Sequence, residues 1–169
     1  MAKARAIPGL GPGTRFGDAA AAAVEIRAAE VFAHSESVLD TGDIEGVHDM
    51  RVSTRRLRAA LEVFAVCFPG REHKRVLSEV KALADSLGER RDPDVAIAAL
   101  EGVAADLTRA DRRGIESLVA EFRAEQGRGN ERVAQMLEQA RESHLQERLA
   151  ALAHSAQSSE GEPAPGAAP

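Results

Sequence analysis

The chain has 169 residues and a formal net charge of −5 at pH 7, enough for one domain with a sizeable core and too few for an additional catalytic module. Its overall acidity argues against attraction to nucleic acid or an anionic membrane, so any site for a polyanion has to be local. Aromatic residues make up 3% of the chain and neither Trp nor Tyr occurs, so strand-favouring residue types are scarce and the composition reads as all-α.

In chain order, residues 1–16 set Lys3, Arg5 and Arg15 among Gly and Pro without the continuous apolar run of a signal peptide, and are expected to form a flexible tail. A helical domain is expected over 17–154, with helices at 18–39, 44–68, 71–87, 93–107 and 112–153, the last interrupted at Gln126-Gly127-Arg128-Gly129-Asn130. Thr41-Gly42-Asp43 supplies a turn and a cap, Pro69-Gly70 ends the second helix, Gly88 follows the third, and Asp92 is placed to cap a helix that starts at Pro93. Short connections make successive helices antiparallel, hence an up-and-down bundle. The Gly-, Pro-, Ser- and Ala-rich residues 155–169 read as a disordered tail. Cys67, a lone thiol in an apolar run, is read as a core residue of a reducing compartment. No segment approaches the roughly 20 apolar residues that cross a bilayer, so the expected location is cytoplasmic.

The informative stretch is His48-Asp49-Met50-Arg51-Val52-Ser53-Thr54-Arg55-Arg56-Leu57-Arg58. At roughly 100° per residue, His48, Arg51, Arg55 and Arg58 fall within an arc of about 80° beside an apolar stripe of Val47, Met50, Leu57, Leu61, Phe64 and Phe68, whereas Arg56 points elsewhere. Guanidinium groups match phosphate oxygens two at a time, and cations held this close repel one another unless an anion lies among them. Lys74 and Lys81 share one rim of the third helix and would border the stripe if the two helices pack antiparallel. The competing reading is a structural or regulatory protein–protein interaction module whose arginines serve as internal ion-pair partners.

His-Asp-Met-Arg-Val-Ser-Thr-Arg-Arg-Leu-Arg-Ala-Ala-Leu, followed by Leu87-Gly88-Glu89-Arg90-Arg91-Asp92-Pro93-Asp94-Val95, resembles the first half of the CHAD family, the conserved histidine α-helical domain. The resemblance implies a helical bundle that binds inorganic polyphosphate without catalysis, with His48, Arg51, Arg55, Arg56, Arg58, Lys81 and Arg91 at motif positions and an association with polyphosphate granules. Lys74 joins this site as a bordering cation. Asp92 and Asp94 also match motif positions and are read as a helix cap and an ion pair to an arginine such as Arg56. A second His-x-x-Arg helix, which the full domain has, is not found. Arg141-Glu142-Ser143-His144-Leu145-Gln146-Glu147-Arg148 interleaves acids where the pattern wants cations, so self-association into a homodimer is the expected compensation.

His48-Asp49 also suggests a metal-dependent phosphohydrolase, but the adjacent arginines would repel a cation and no second ligand pair is suitably placed. His34, His73, His144 and His154 read as surface or helix-flank residues. There is no P-loop, nucleophile–base pattern or zinc-type cysteine spacing, so neither a cofactor nor an enzymatic activity is expected.

Overall fold

The computed structural model describes residues 4–42 and 44–158. Among them five α-helices follow one another without a strand: α1 (Phe16–Phe32), α2 (Ile44–Val63), α3 (Gly70–Ala105), α4 (Arg109–Glu142) and α5 (Leu145–Ser158). Short 3₁₀ turns at Ser37–Leu39 and Ala65–Cys67 lead out of α1 and α2. Neighbours in sequence pack together from α1 to α4, and α5 folds back onto α1, which gives the expected all-α, up-and-down bundle.

Small and branched side chains decide how these helices meet. α1 buries Ala20, Ala21, Ala23 and Val24, a smooth face that lets α5 approach closely. The approach is tightest at Gly17, where an added Cβ would lie 2.3 Å from the Ala156 carbonyl oxygen. α2 turns Val47, Met50, Thr54, Leu57 and Leu61 inward at alternating steps of three and four, all fully buried or nearly so. Each large apolar side chain so buried contributes about 1.5–3 kcal/mol relative to exposure. Thr54 sits on this face without an unmet donor because its hydroxyl donates to the Met50 carbonyl at 2.8 Å.

α3 runs unbroken through Gly88 and Pro93, where two helices were expected. Asp92 is therefore an exposed residue inside a helix and not a cap. α4 likewise continues through the 126–130 segment. Its packing explains why: Gly129 faces Arg90 so closely that a Cβ would be 3.1 Å from the Arg90 Cα, so this glycine serves helix contact and not termination. The break comes instead at Ser143–His144, where His144 adopts φ 52°. Ser143 Oγ donates to Glu79 at 2.8 Å, and Arg148, one turn into α5, donates to Glu72 at 2.6 Å and Glu79 at 2.8 Å, so side chains of α3 hold the corner. α1 and α2 end before the expected 39 and 68, each running into its 3₁₀ turn. The cap expected of Asp43, and residues 159–169 of the expected C-terminal tail, lie outside the described residues, whereas residues 155–158 extend α5. At the other end, residues 4–15 run beside α1, with the Arg5 N–H donating to Glu30 and the Arg27 guanidinium donating to the Arg5 carbonyl.

The core gathers at one end of the α3–α4 hairpin. It takes Val76, Val80, Leu83 and Leu87 from α3 and Val133 and Ala140 from α4; among the described residues between Leu87 and Val133 none joins this cluster, although Val119 is buried apart from it. Cys67 packs against this core half-buried, and burial pushes its thiol pKa up. His73, expected at the surface or on a helix flank, is buried, stacked on Phe68 at 5.5 Å and hydrogen-bonded to the Leu61 carbonyl at 2.8 Å. It thereby satisfies an oxygen in the last turn of α2 that the helix itself leaves open.

Candidate functional site

The cationic stripe lies on α2, beside the face fixed by the buried residues above. Arg51 and Arg55 are exposed, and among the described residues neither has a hydrogen bond or ion pair. His48, half-buried one turn before Arg51, has no such partner either. Arg58 continues the stripe but is engaged, donating from Nε to Glu62 Oε1 at 3.0 Å. At 1.5 Å rise per residue, His48 to Arg58 spans about 15 Å of one helix face.

From α3, Lys81 reaches the same Glu62 oxygen at 3.2 Å, so the third helix does border the stripe at its far end. Lys74, two turns nearer the start of α3, is exposed and unpaired among the described residues. The remaining expected residues are placed differently. Arg56 is half-buried on the flank away from the stripe, and its charge helps hold down the pKa of Glu30 on α1. Arg91 is mostly buried and lies 3.8 Å from Asp94. Asp94 pairs with Arg90 and not with Arg56: both side chains are completely buried, Gln126 Nε2 donates to Asp94 at 2.6 Å, and Arg90 Nε donates to Asn130 at 3.2 Å. Asn130 in turn donates to the Leu39 carbonyl at 3.0 Å. Arg90 and Asp94 thus belong to a polar lock between α3, α4 and the turn after α1. Four of the expected cations, Arg51, Arg55, Arg58 and Lys81, together with His48, form one surface, with Lys74 beyond it.

Sequence reasoning missed the part played by Glu62. By azimuth it falls in the middle of the cationic arc, and its position four residues after Arg58 was the signal. Hydrogen bonds from Arg58 and then Lys81 hold its carboxyl below the ordinary carboxylate range. A cleft of about 650 Å³ opens elsewhere, between α1, α4 and α5, and none of the stripe residues lines it. Arg51, Arg55 and Lys74 are exposed and Arg58 and Lys81 nearly half so, a surface suited to a flexible charged chain more than to a small molecule that needs enclosure. No helix among the described residues is long and apolar enough to cross a membrane.

Fold and surface together define a class, an all-α antiparallel bundle that exposes a row of basic side chains on one helix. The chain belongs to the CHAD domain family, whose model matches residues 22–169. Among solved structures it is similar to the CHAD domain from the plant Ricinus communis, with a TM-score of 0.73 and 26% sequence identity. That match covers 95% of this chain and 52% of the plant chain, so the present chain spans about half the length of that relative. Among curated proteins no relative matches.

Proposed function

We propose that this protein binds inorganic polyphosphate without chemically altering it, through His48, Arg51, Arg55, Arg58, Lys81 and Lys74, and so acts as a targeting or scaffolding module at polyphosphate bodies. The observation that carries this reading is that Arg51 and Arg55 stand one turn apart, exposed and without a carboxylate partner among the described residues, in a protein of net charge −5. Other exposed arginines are divided: Arg123 pairs with Glu101 at 2.8 Å and Arg132 with Glu89 at 2.8 Å, whereas Arg113 and Arg128 have no such partner among the described residues, so what marks Arg51 and Arg55 is their place in one row of cations. A row left open matches the repeating oxyanions of a phosphate chain, which gain from fixed cations by releasing counterions. The interaction-module reading accounts for Arg58 and Arg91, which are paired, but not for Arg51 and Arg55.

The test is a titration with long-chain polyphosphate over a series of salt concentrations. With roughly three to five phosphate contacts, log affinity should fall against log salt with a slope of about −2 to −3.5. Arg51→Glu or Arg55→Glu should each weaken binding by about 1.5–3 kcal/mol, on the order of ten- to a hundredfold, while Arg123→Glu and Arg141→Glu should change it little. Salt-insensitive binding, or normal binding by well-folded R51E and R55E, would replace this reading with the structural one.

A further inference from the structure

We infer that Glu62 is a built-in competitor for the basic row, a carboxylate seated where a phosphate would otherwise sit and displaced only by a chain long enough to reach past Arg58. This rests on the polyphosphate reading above and adds to it a residue that sets preference for chain length.

The geometry is that of an occupied anion position. A single oxygen, Glu62 Oε1, takes the Arg58 Nε hydrogen at 3.0 Å and faces the Lys81 ammonium at 3.2 Å, with one cation from α2 and the other from α3. Two cations converging on one oxygen is how they would also grip a phosphoryl oxygen. All three groups are more than one third exposed, so this arrangement is open to exchange with a ligand.

Helix stability does not account for the contact. In an i,i+4 pair the favourable order places the acid before the base, and Arg58 precedes Glu62. An exposed pair of this kind contributes little in water, so a polyanion can outcompete it.

The placement of Glu62 divides the row. Among the described residues His48, Arg51 and Arg55 precede it without partners, while Arg58 and Lys81 are held by it. Lys74 lies roughly 10 Å farther along α3 at 1.5 Å per residue. A short oligomer such as triphosphate can satisfy Arg51 and Arg55 and leave Glu62 in place. A long chain gains Arg58, Lys81 and Lys74 only by expelling the carboxylate.

The experiment compares wild type, Glu62→Gln, Glu138→Gln and Arg51→Glu for binding of triphosphate and of long-chain polyphosphate across a salt series. Glu138 pairs with Arg141 on α4, so its substitution makes the same change in net charge away from the row. Circular dichroism establishes that each variant is folded. The expected result is that E62Q tightens long-chain binding by about three- to tenfold. Its salt slope should steepen by roughly one, triphosphate affinity should shift less than about twofold, and E138Q should match wild type. If wild type binds long chains and loses them in R51E, yet E62Q behaves like E138Q or improves both ligands equally, the competitor role is wrong and Glu62 is an interhelix tie. If wild type binds neither ligand, or R51E binds as wild type does, the polyphosphate reading itself falls and this inference falls with it.

Discussion

Replacing Asp94 by Ala tests the polar lock between α3 and α4. Arg90 and Asp94 are both fully buried, so the substitution strands a guanidinium charge in the interior. Arg90 keeps only the Nε contact to Asn130, and its Nη2 already lacks a hydrogen-bond partner. Gln126 loses its acceptor at the same time. Breaking a buried pair from one side costs about 3–5 kcal/mol. For a chain of this size each kcal/mol lowers the melting temperature by about 2–4 °C, so D94A should melt roughly 6–20 °C below wild type. The double variant R90M/D94L removes both charges and should recover much of that loss, because apolar residues of similar volume commonly replace a buried pair at little cost. Recovery should stay incomplete, since Gln126 and Asn130 remain without the partners they now have. Thermal melts followed by far-ultraviolet circular dichroism, with denaturant titrations to obtain free energies, measure all three proteins. If D94A lies within about 1 kcal/mol of wild type, or the double variant is no more stable than D94A, the pair is not the structural lock its burial implies.

Two further outcomes follow from other positions. Glu30 is buried; desolvation raises its carboxyl pKa, but hydrogen bonds from Arg27 and the Arg5 N–H and the charges of Arg27 and Arg56 outweigh this and leave it below the ordinary 4.5. Its ionised form therefore stabilises the fold above that ordinary value, and the contribution disappears as pH falls through Glu30's own lower value. Denaturant titrations should accordingly find Glu30→Gln less stable than wild type by about 1.5 kcal/mol or more at neutral pH, with the gap closing in acid; a gap independent of pH would contradict the assignment. Gly17→Ala should destabilise the fold by about 1–3 kcal/mol, because the new Cβ meets the Ala156 backbone and no side chain can move aside; an unchanged melting temperature would show that α1 and α5 separate easily.

The sequence carried the helical class, the start of α2 and the face on which its arginines lie, because those follow from a local period that tertiary packing reinforced. It misled where residues with strong local habits were recruited for contacts between helices. Pro93 removes one backbone donor yet α3 continues, and Gly129 reads as a breaker but lies where α4 packs closely on Arg90 of α3. The signal for this was present as two polar pairs with the same spacing, Arg90 with Asp94 and Gln126 with Asn130, each four residues apart and matched across the interface. Such a match is visible only once the two segments are known to be neighbours. The corner at Ser143–His144 had no local signal, since it is held by Glu72 and Glu79 of α3, distant in sequence, which accept from Ser143 and Arg148. Arg56 and Arg91 match the family pattern as well as Arg51 does, and only burial and partners separate the inward-facing arginines from those that face solvent.

The hairpin of α3 and α4 beyond the lock leads a partly separate existence. With no described residue between Leu87 and Val133 in the main core cluster, its outer portion depends on the mutual contact of two helices, where Val119 is buried but Val95 and Val103 remain more than half exposed. Backbone amides there should exchange with deuterium through a local opening that leaves α2 intact, while those of α2 wait for global unfolding. The connection at residues 106–108, about 28 Å beyond Leu87 at 1.5 Å per residue, is tied down locally among the described residues, by the Arg112 guanidinium on the Leu107 and Ala105 carbonyls and by Thr108 on Asp111. An inserted peptide or reporter should be tolerated at that point with the basic row undisturbed, which makes the tip of the hairpin a place to graft a label for following this protein on its ligand.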